Sequence, residues 1–142
     1  MTWTISILIS VVMFTGHILA VRYVGEKFPS TFVTPAFYTF ALVMLYTLFF
    51  IDRPKFEWGE VAQPSVLIPL IFAGVTIGLT DFFFVKSLNL GADASIALPI
   101  LSAGAAVLVT ILGFLIFKES LSFYKLAGIV LAISGIFLIH KG

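Results

Sequence analysis

The chain has 142 residues, of which 61% are hydrophobic and 11% charged, with a formal net charge of +1 and a mean hydropathy of +1.17. Soluble domains carry about 25% charged residues, and a chain this short cannot enclose so much apolar surface in a water-facing fold. The composition therefore excludes a soluble globular protein and requires a multi-pass membrane protein; the absence of cysteine removes disulfides, thiolate metal sites and cysteine nucleophiles, and nothing forms a basic footprint for nucleic acid.

Five apolar runs predict an all-α integral membrane protein, a bundle of five transmembrane helices forming one domain over residues 1–142, with spans at about 3–21, 34–51, 65–85, 94–117 and 123–139. The first lacks the basic start of a signal peptide, so it is read as retained; it ends at Arg22. Its His17 shares a face with Ser6, Ser10 and Met13, less oily than the face of Leu8, Val12 and Leu19. The second run opens on Thr34 and Pro35, which read as an N-cap followed by proline at the first helical position, and it carries Tyr38 and Tyr46. The stretch from Asp52 to Pro64 mixes charges with Trp58 and reads as a short interfacial segment with an aromatic anchor.

The third run contains Gly74 and Gly78, a GxxxG face that expects a close helix neighbour. Asp81 lies at helical spacing from both and is expected to point toward protein rather than lipid. The fourth run starts after Asp93, placed to cap it, and carries no charge from Ala94 to Phe117. Ser95, Pro99, Ser102, Ala106, Thr110 and Gly113 recur at steps of three or four and make one small, weakly polar, kinked face. Such a stripe suits a neighbouring helix or a cavity, because small side chains let backbones approach. Pro99 leaves the carbonyl of Ser95 without its usual donor. Ser95, Pro99 and Ser102 therefore mark either the wall of an internal pathway or a packing helix bent by proline. In the fifth run, capped by Ser122, Gly128, Ala132 and Gly135 form a seam for another helix, in cis or in trans.

His17 and Asp81 are the ionisable residues that fall well inside these spans. An aspartate at a helix centre costs roughly 2.5–3.5 kcal/mol on insertion, and such residues usually face the bundle interior and mark pathways. Both are expected on the same side of the midplane, where they can pair as a proton-handling site. The structural alternative has Asp81 pairing with Lys86 and His17 as a packing group. Tyr38 and Tyr46 offer aromatic surface to a substrate or simply pack.

With the N-terminus in the cytoplasm, Arg53, Lys55, Lys118 and Lys125 fall on one side and Arg22, Lys27, Lys86 and Lys141 on the other, four against four. Orientation follows Lys/Arg asymmetry, so the chain states little preference. Balanced charge suggests dual topology, in which two oppositely inserted copies pair antiparallel and form an inverted repeat by association.

The last third carries a recognisable pattern. Gly91 to Pro99, then Lys118, Glu119, Ser120 and Leu121, then the Gly-rich run from Lys125 to Ile139, resembles the drug/metabolite transporter superfamily. It is most similar to a single EamA-type five-helix half, and similar also to the small multidrug resistance branch. The resemblance implies a membrane transporter module that moves a small metabolite or amphipathic compound by alternating access. It implies assembly as an antiparallel homodimer or with a sister half, in the cell (inner) membrane. The branch's first-span glutamate is missing here, so its proton-coupled export of cationic drugs does not carry over. Lys118 and Glu119 fit the family's loop signature and read as structural or gating groups. Substrate-pathway candidates are His17, Asp81, Ser95, Pro99, Ser102, Tyr38 and Tyr46; helix-packing candidates are Gly74, Gly78, Gly128, Ala132 and Gly135. The expected partners are the lipid bilayer and a small-molecule substrate, with no cofactor, no metal and no enzymatic activity. A lipid-linked sugar flippase subunit and a non-transporting membrane assembly protein are the competing readings.

Overall fold

The computed structural model describes residues 3–118, 120 and 122–141, the last two by backbone alone. Among the described residues six helices follow in chain order: α1 (Trp3–Gly25), α2 (Ser30–Asp52), α3 (Trp58–Val61), α4 (Pro64–Asn89), α5 (Ala94–Phe117) and α6 (Phe123–Lys141). They form two compact units, Met1–Gly91 and Ala92–Gly142. α1, α2, α4 and α5 are long and apolar enough to cross a bilayer, while the apolar part of α6, Phe123–Ile139, is shorter. The structure thus carries four helices of clear membrane-crossing length where the sequence predicts five spans. α3 is a single exposed turn in the α2–α4 connection, with Trp58 edge-on to Phe56 at 4.9 Å.

The helices overrun several expected boundaries. α1 continues one turn past Arg22, whose guanidinium lies 3.4 Å from Glu26 one turn on. α4 begins on Pro64, a residue suited to a first helical position, and continues past Lys86 to Asn89. α2 starts at Ser30, so Thr34 is not its cap and Pro35 lies inside it. The reason lies just upstream. Pro29 presets the extended backbone of a cap position, and its carbonyl accepts the N–H groups of Phe32 and Val33 at 2.9 and 3.1 Å. Pro35 then removes only the hydrogen bond that the Thr31 carbonyl would have received.

At the other termini the caps form locally. Asp93 holds the N-cap position of α5, but its backbone carbonyl, not its carboxylate, makes the cap, accepting from Ile96 and Ala97 at 3.0 and 2.8 Å. Ser122 accepts the Lys125 N–H through its hydroxyl at 3.3 Å. α2 and α5 both end in left-handed residues, Arg53 and Lys118, whose N–H groups return to Phe49 and Gly113. Both are cations at a helix C-terminus, where the dipole favours them. Glu119, the other member of the expected loop pair, lies outside the described residues.

Within the first unit the core sits at one end. Ile18, Val21, Val33, Phe84, Val85 and Leu88 are its buried hydrophobic residues. They come from the end of α1, the start of α2 and the end of α4, three stretches that the chain direction brings to one level. Toward the opposite end every residue of 3–16, 39–48 and 64–77 is exposed. In the second unit, α5 and α6 pair over a shallow crevice of about 210 Å³, lined by Ala106 and Thr110 on one helix and Lys125, Gly128 and Ala132 on the other.

Candidate functional site

The polar centre of the first unit lies just inside its packed end. His17 stands eight residues before the end of α1, Tyr38 eight after the start of α2, and Asp81 eight before the end of α4. At 1.5 Å per residue all three lie about 12 Å in from the packed end. Measured against the helix lengths, each falls within about 7 Å of its helix centre, well inside a hydrocarbon core ~30 Å thick.

Tyr38 donates its hydroxyl proton to Asp81 Oδ2 at 2.6 Å, a part-buried contact between helices 43 residues apart in sequence. An O–H···O distance of that length is typical when the acceptor is a carboxylate, and such charge-assisted bonds are the stronger kind. A contribution of about 1.5–3 kcal/mol offsets much of the cost of placing Asp81 at membrane depth. Among the described residues no hydrogen bond reaches the other carboxylate oxygen, Oδ1. Lys86 does not pair with Asp81; its ammonium lies 6.0 Å from the ring centre of Phe83.

His17 shares the level but not the bond. Its ring meets Phe37 edge-on at 5.0 Å and lies stacked 6.2 Å from Phe14. Phe37 in turn lies 4.8 Å from the ring of Tyr38. The expected direct pairing of His17 with Asp81 is therefore replaced by a row of His17, Phe37, Tyr38 and Asp81. The reason is geometric: α2 presents two consecutive aromatic residues, one toward α1 and one toward α4. His17 also opens on a cleft of about 260 Å³ between α1 and α2, lined by apolar side chains including Val21, Val33, Phe37 and Phe40.

One turn toward the packed end from Tyr38, Thr34 is 6% exposed and its hydroxyl has no hydrogen-bond partner among the described residues. Thr39, Thr47, Thr76, Thr80 and Thr110 satisfy theirs on carbonyls one turn back. At the end of α4, Asn89 reaches the α1–α2 connection. Its amide NH2 donates to the carbonyls of Gly25 and Phe28, and its Oδ1 accepts the Ser30 N–H at 2.9 Å. Neither Asn89 nor the Tyr38–Asp81 bond was readable from local patterns, since both join residues far apart in sequence.

The remaining candidates are distributed elsewhere. Tyr46 lies two turns along α2 over a shallow patch with Leu42, Leu45 and Phe49, away from Asp81. Within the first unit no atom lies within 4 Å of where a Cβ would stand on Gly74 or Gly78, so that face has no close helix neighbour there. In the second unit Ser95 and Ser102 are exposed and Pro99 is half-buried. Gly128 and Gly135 likewise have open space at their Cβ positions, although Gly128 and Ala132 border the α5–α6 crevice.

Apolar helices of membrane-crossing length, with a hydrogen-bonded carboxylate at mid-depth, define a multi-pass membrane protein with a polar site inside the membrane. The chain belongs to the EamA-like transporter family, whose model matches residues 1–140. It is thus a membrane transporter protein of the drug/metabolite type. No curated protein matches it, and no solved structure does.

Proposed function

We propose that the chain is one half of a transporter that moves a small metabolite or amphipathic compound by alternating access, with the Asp81 carboxylate and the Tyr38 hydroxyl as the polar centre of its pathway. The two units act together as one domain, and α6 serves as a fifth span. The observation that carries this reading is the Tyr38–Asp81 hydrogen bond at membrane depth. A carboxylate there is costly and usually marks a pathway, and Asp81 keeps one oxygen open to a proton or to a donor on the substrate. Ser95, Pro99 and Ser102 stay pathway candidates of the second unit, and His17 ends the aromatic row at the side away from Asp81.

Lys/Arg counts that balance under a five-span topology support a partner inserted the other way up, either a second copy or a sister half, in the cell (inner) membrane. The open Gly74/Gly78 and Gly128/Gly135 faces suit close approach by such a partner. A second reading, a lipid-linked sugar flippase subunit, is favoured by one feature: the α1–α2 cleft of about 260 Å³ is apolar, as a site for part of an acyl or isoprenoid chain would be.

Purified protein in liposomes, screened across metabolite and lipid-linked substrates for substrate-induced flux, tests these readings. Asp81→Asn is expected to reduce flux at least tenfold while leaving the folded protein in the membrane. Flux unaffected by Asp81→Asn would remove Asp81 from the pathway, and flux confined to lipid-linked substrates would favour the flippase reading.

A further inference from the structure

The two ends of the first unit are built differently, and Asn89 is the residue that makes them so. A helix end leaves carbonyls and N–H groups without partners. Asn89 supplies partners to both ends that meet here. It donates to Gly25 at the end of α1 and to Phe28 in the connection, and it accepts from Ser30 at the start of α2. One side chain on α4 thereby ties three points of the chain that lie 59 to 64 residues before it. Beneath the tie, Val85 is fully buried, and its Cγ1 lies 3.6 Å from where a Cβ on Gly25 would stand. Ile18, Val21, Val33, Phe84 and Leu88 complete the plug.

Among the described residues the opposite end shows no such buried plug. Its helices are exposed over residues 3–16, 39–48 and 64–77. The chain passes from α2 to α4 there by the long segment that carries α3, whereas α1 and α2 are joined at the tied end by residues 26–29 alone. A short connection, a buried plug and a three-point tie hold one end at fixed spacing. A long connection and exposed helices leave the other end free to change its spacing.

We infer that the Asn89 end of the first unit is a permanent hinge and seal, and that the unit opens by splaying its other end. The Tyr38–Asp81 level sits directly inside the seal, with the exposed helices of the α3 side beyond it. Asn89 is the positioning residue of that hinge. Resting on the transporter reading, one consequence follows: the first unit opens its polar centre toward the membrane face that carries α3.

The test measures distances between spin labels on introduced cysteines, in a chain that has no native cysteine, with the labelled chain diluted into unlabelled protein. Tyr23→Cys/Leu90→Cys reports α1 to α4 at the sealed end, and Ile7→Cys/Leu70→Cys reports the same helix pair at the open end. A single narrow distribution is expected for the first pair and one at least twice as broad, or split, for the second. Asn89→Asp keeps the acceptor for Ser30 but loses both donors, and it should broaden the sealed-end distribution at least twofold. Ser30→Pro removes the N–H given to Asn89 together with the buried Ser30 hydroxyl, at a position where a helix tolerates proline, and leaves both Asn89 donors in place, so it should broaden the distribution by less; it serves if Asn89→Asp does not fold. A sealed-end distribution as broad as the open-end one, or one unaffected by both variants, overturns the hinge. The readout needs no substrate, so a failed flux assay removes the transport reading and leaves the hinge standing.

Discussion

The two units of this chain are held together by different means. In the first, bulky side chains from α1, α2 and α4 interlock around Val85, and two polar contacts cross between helices, Tyr38 to Asp81 and Asn89 to the α1–α2 connection. In the second, Ala106, Thr110, Gly128 and Ala132 share the line where α5 meets α6 with Val107, Ile129 and Lys125. In lipid there is no hydrophobic drive between helices, so association rests on packing and on hydrogen bonds. The first unit uses both, concentrated at one end; in the second, small and larger side chains alternate along the crevice. A tight, polar-tied end beside exposed helices is what a moving part needs, because mobile elements are drawn from the weakly packed portion of a fold.

The largest contrast in stability is expected between Val85→Ala and Leu108→Ala. Val85 is fully buried, and the cavity left behind should cost roughly 1–3 kcal/mol. Leu108 is 61% exposed, and its truncation should shift thermal unfolding in detergent by far less. Equal shifts would erase the distinction between the two units. Next comes Gly91→Ala. Gly91 has φ +95° at the end of the first unit, and a side chain there should cost about 1–2 kcal/mol in the same assay. Thr34→Val removes a buried hydroxyl that has no partner, so the variant is expected to be neutral or more stable by up to about 1 kcal/mol. Clear destabilisation would mean that the hydroxyl bonds to something at the Tyr38 level. The smallest effect on the fold is expected at Gly128→Ala, where a Cβ meets nothing within 4 Å and unfolding should move by less than about 0.5 kcal/mol. Leucine at both Gly128 and Gly135 sharpens that case. It should weaken cross-linking between copies, and an unaltered cross-linking pattern would place the seam outside the assembly.

Much of the fold was legible because lipid imposes simple rules on sequence. The α5 limits follow from an uncharged run bounded by Asp93 and Lys118, and the small stripe of Ala106 and Thr110 was visible at helical spacing. The start of α2 was not, because Thr34 and Pro35 imitate a cap and a first-turn proline. What overrides that local signal is the Pro29 carbonyl together with an Asn89 side chain far along the chain. The polar site was half legible. Asp81 stood out as a charge within an apolar run, and the common level of His17 and Asp81 followed from counting residues. Their separation by Phe37 and Tyr38 depends on how α2 sits between α1 and α4, which no periodicity encodes. The GxxxG face of Gly74 and Gly78 announced a close neighbour, yet the first unit supplies none; sequence shows that a face is suited to contact, not which chain provides it.

The most direct test of the account is whether position 81 lies in water or in sealed packing. A thiol reacts as the thiolate, which forms in water and not in hydrocarbon. With no native cysteine in the chain, Asp81→Cys can be treated with a membrane-impermeant thiol reagent in intact membranes and compared with Val43→Cys, a position 63% exposed on α2 and facing lipid in this reading. A pathway through the Tyr38–Asp81 level requires modification at 81, slowed by transported substrate, with position 43 inert. Failure of the reagent to reach 81 from either side of the membrane would contradict it.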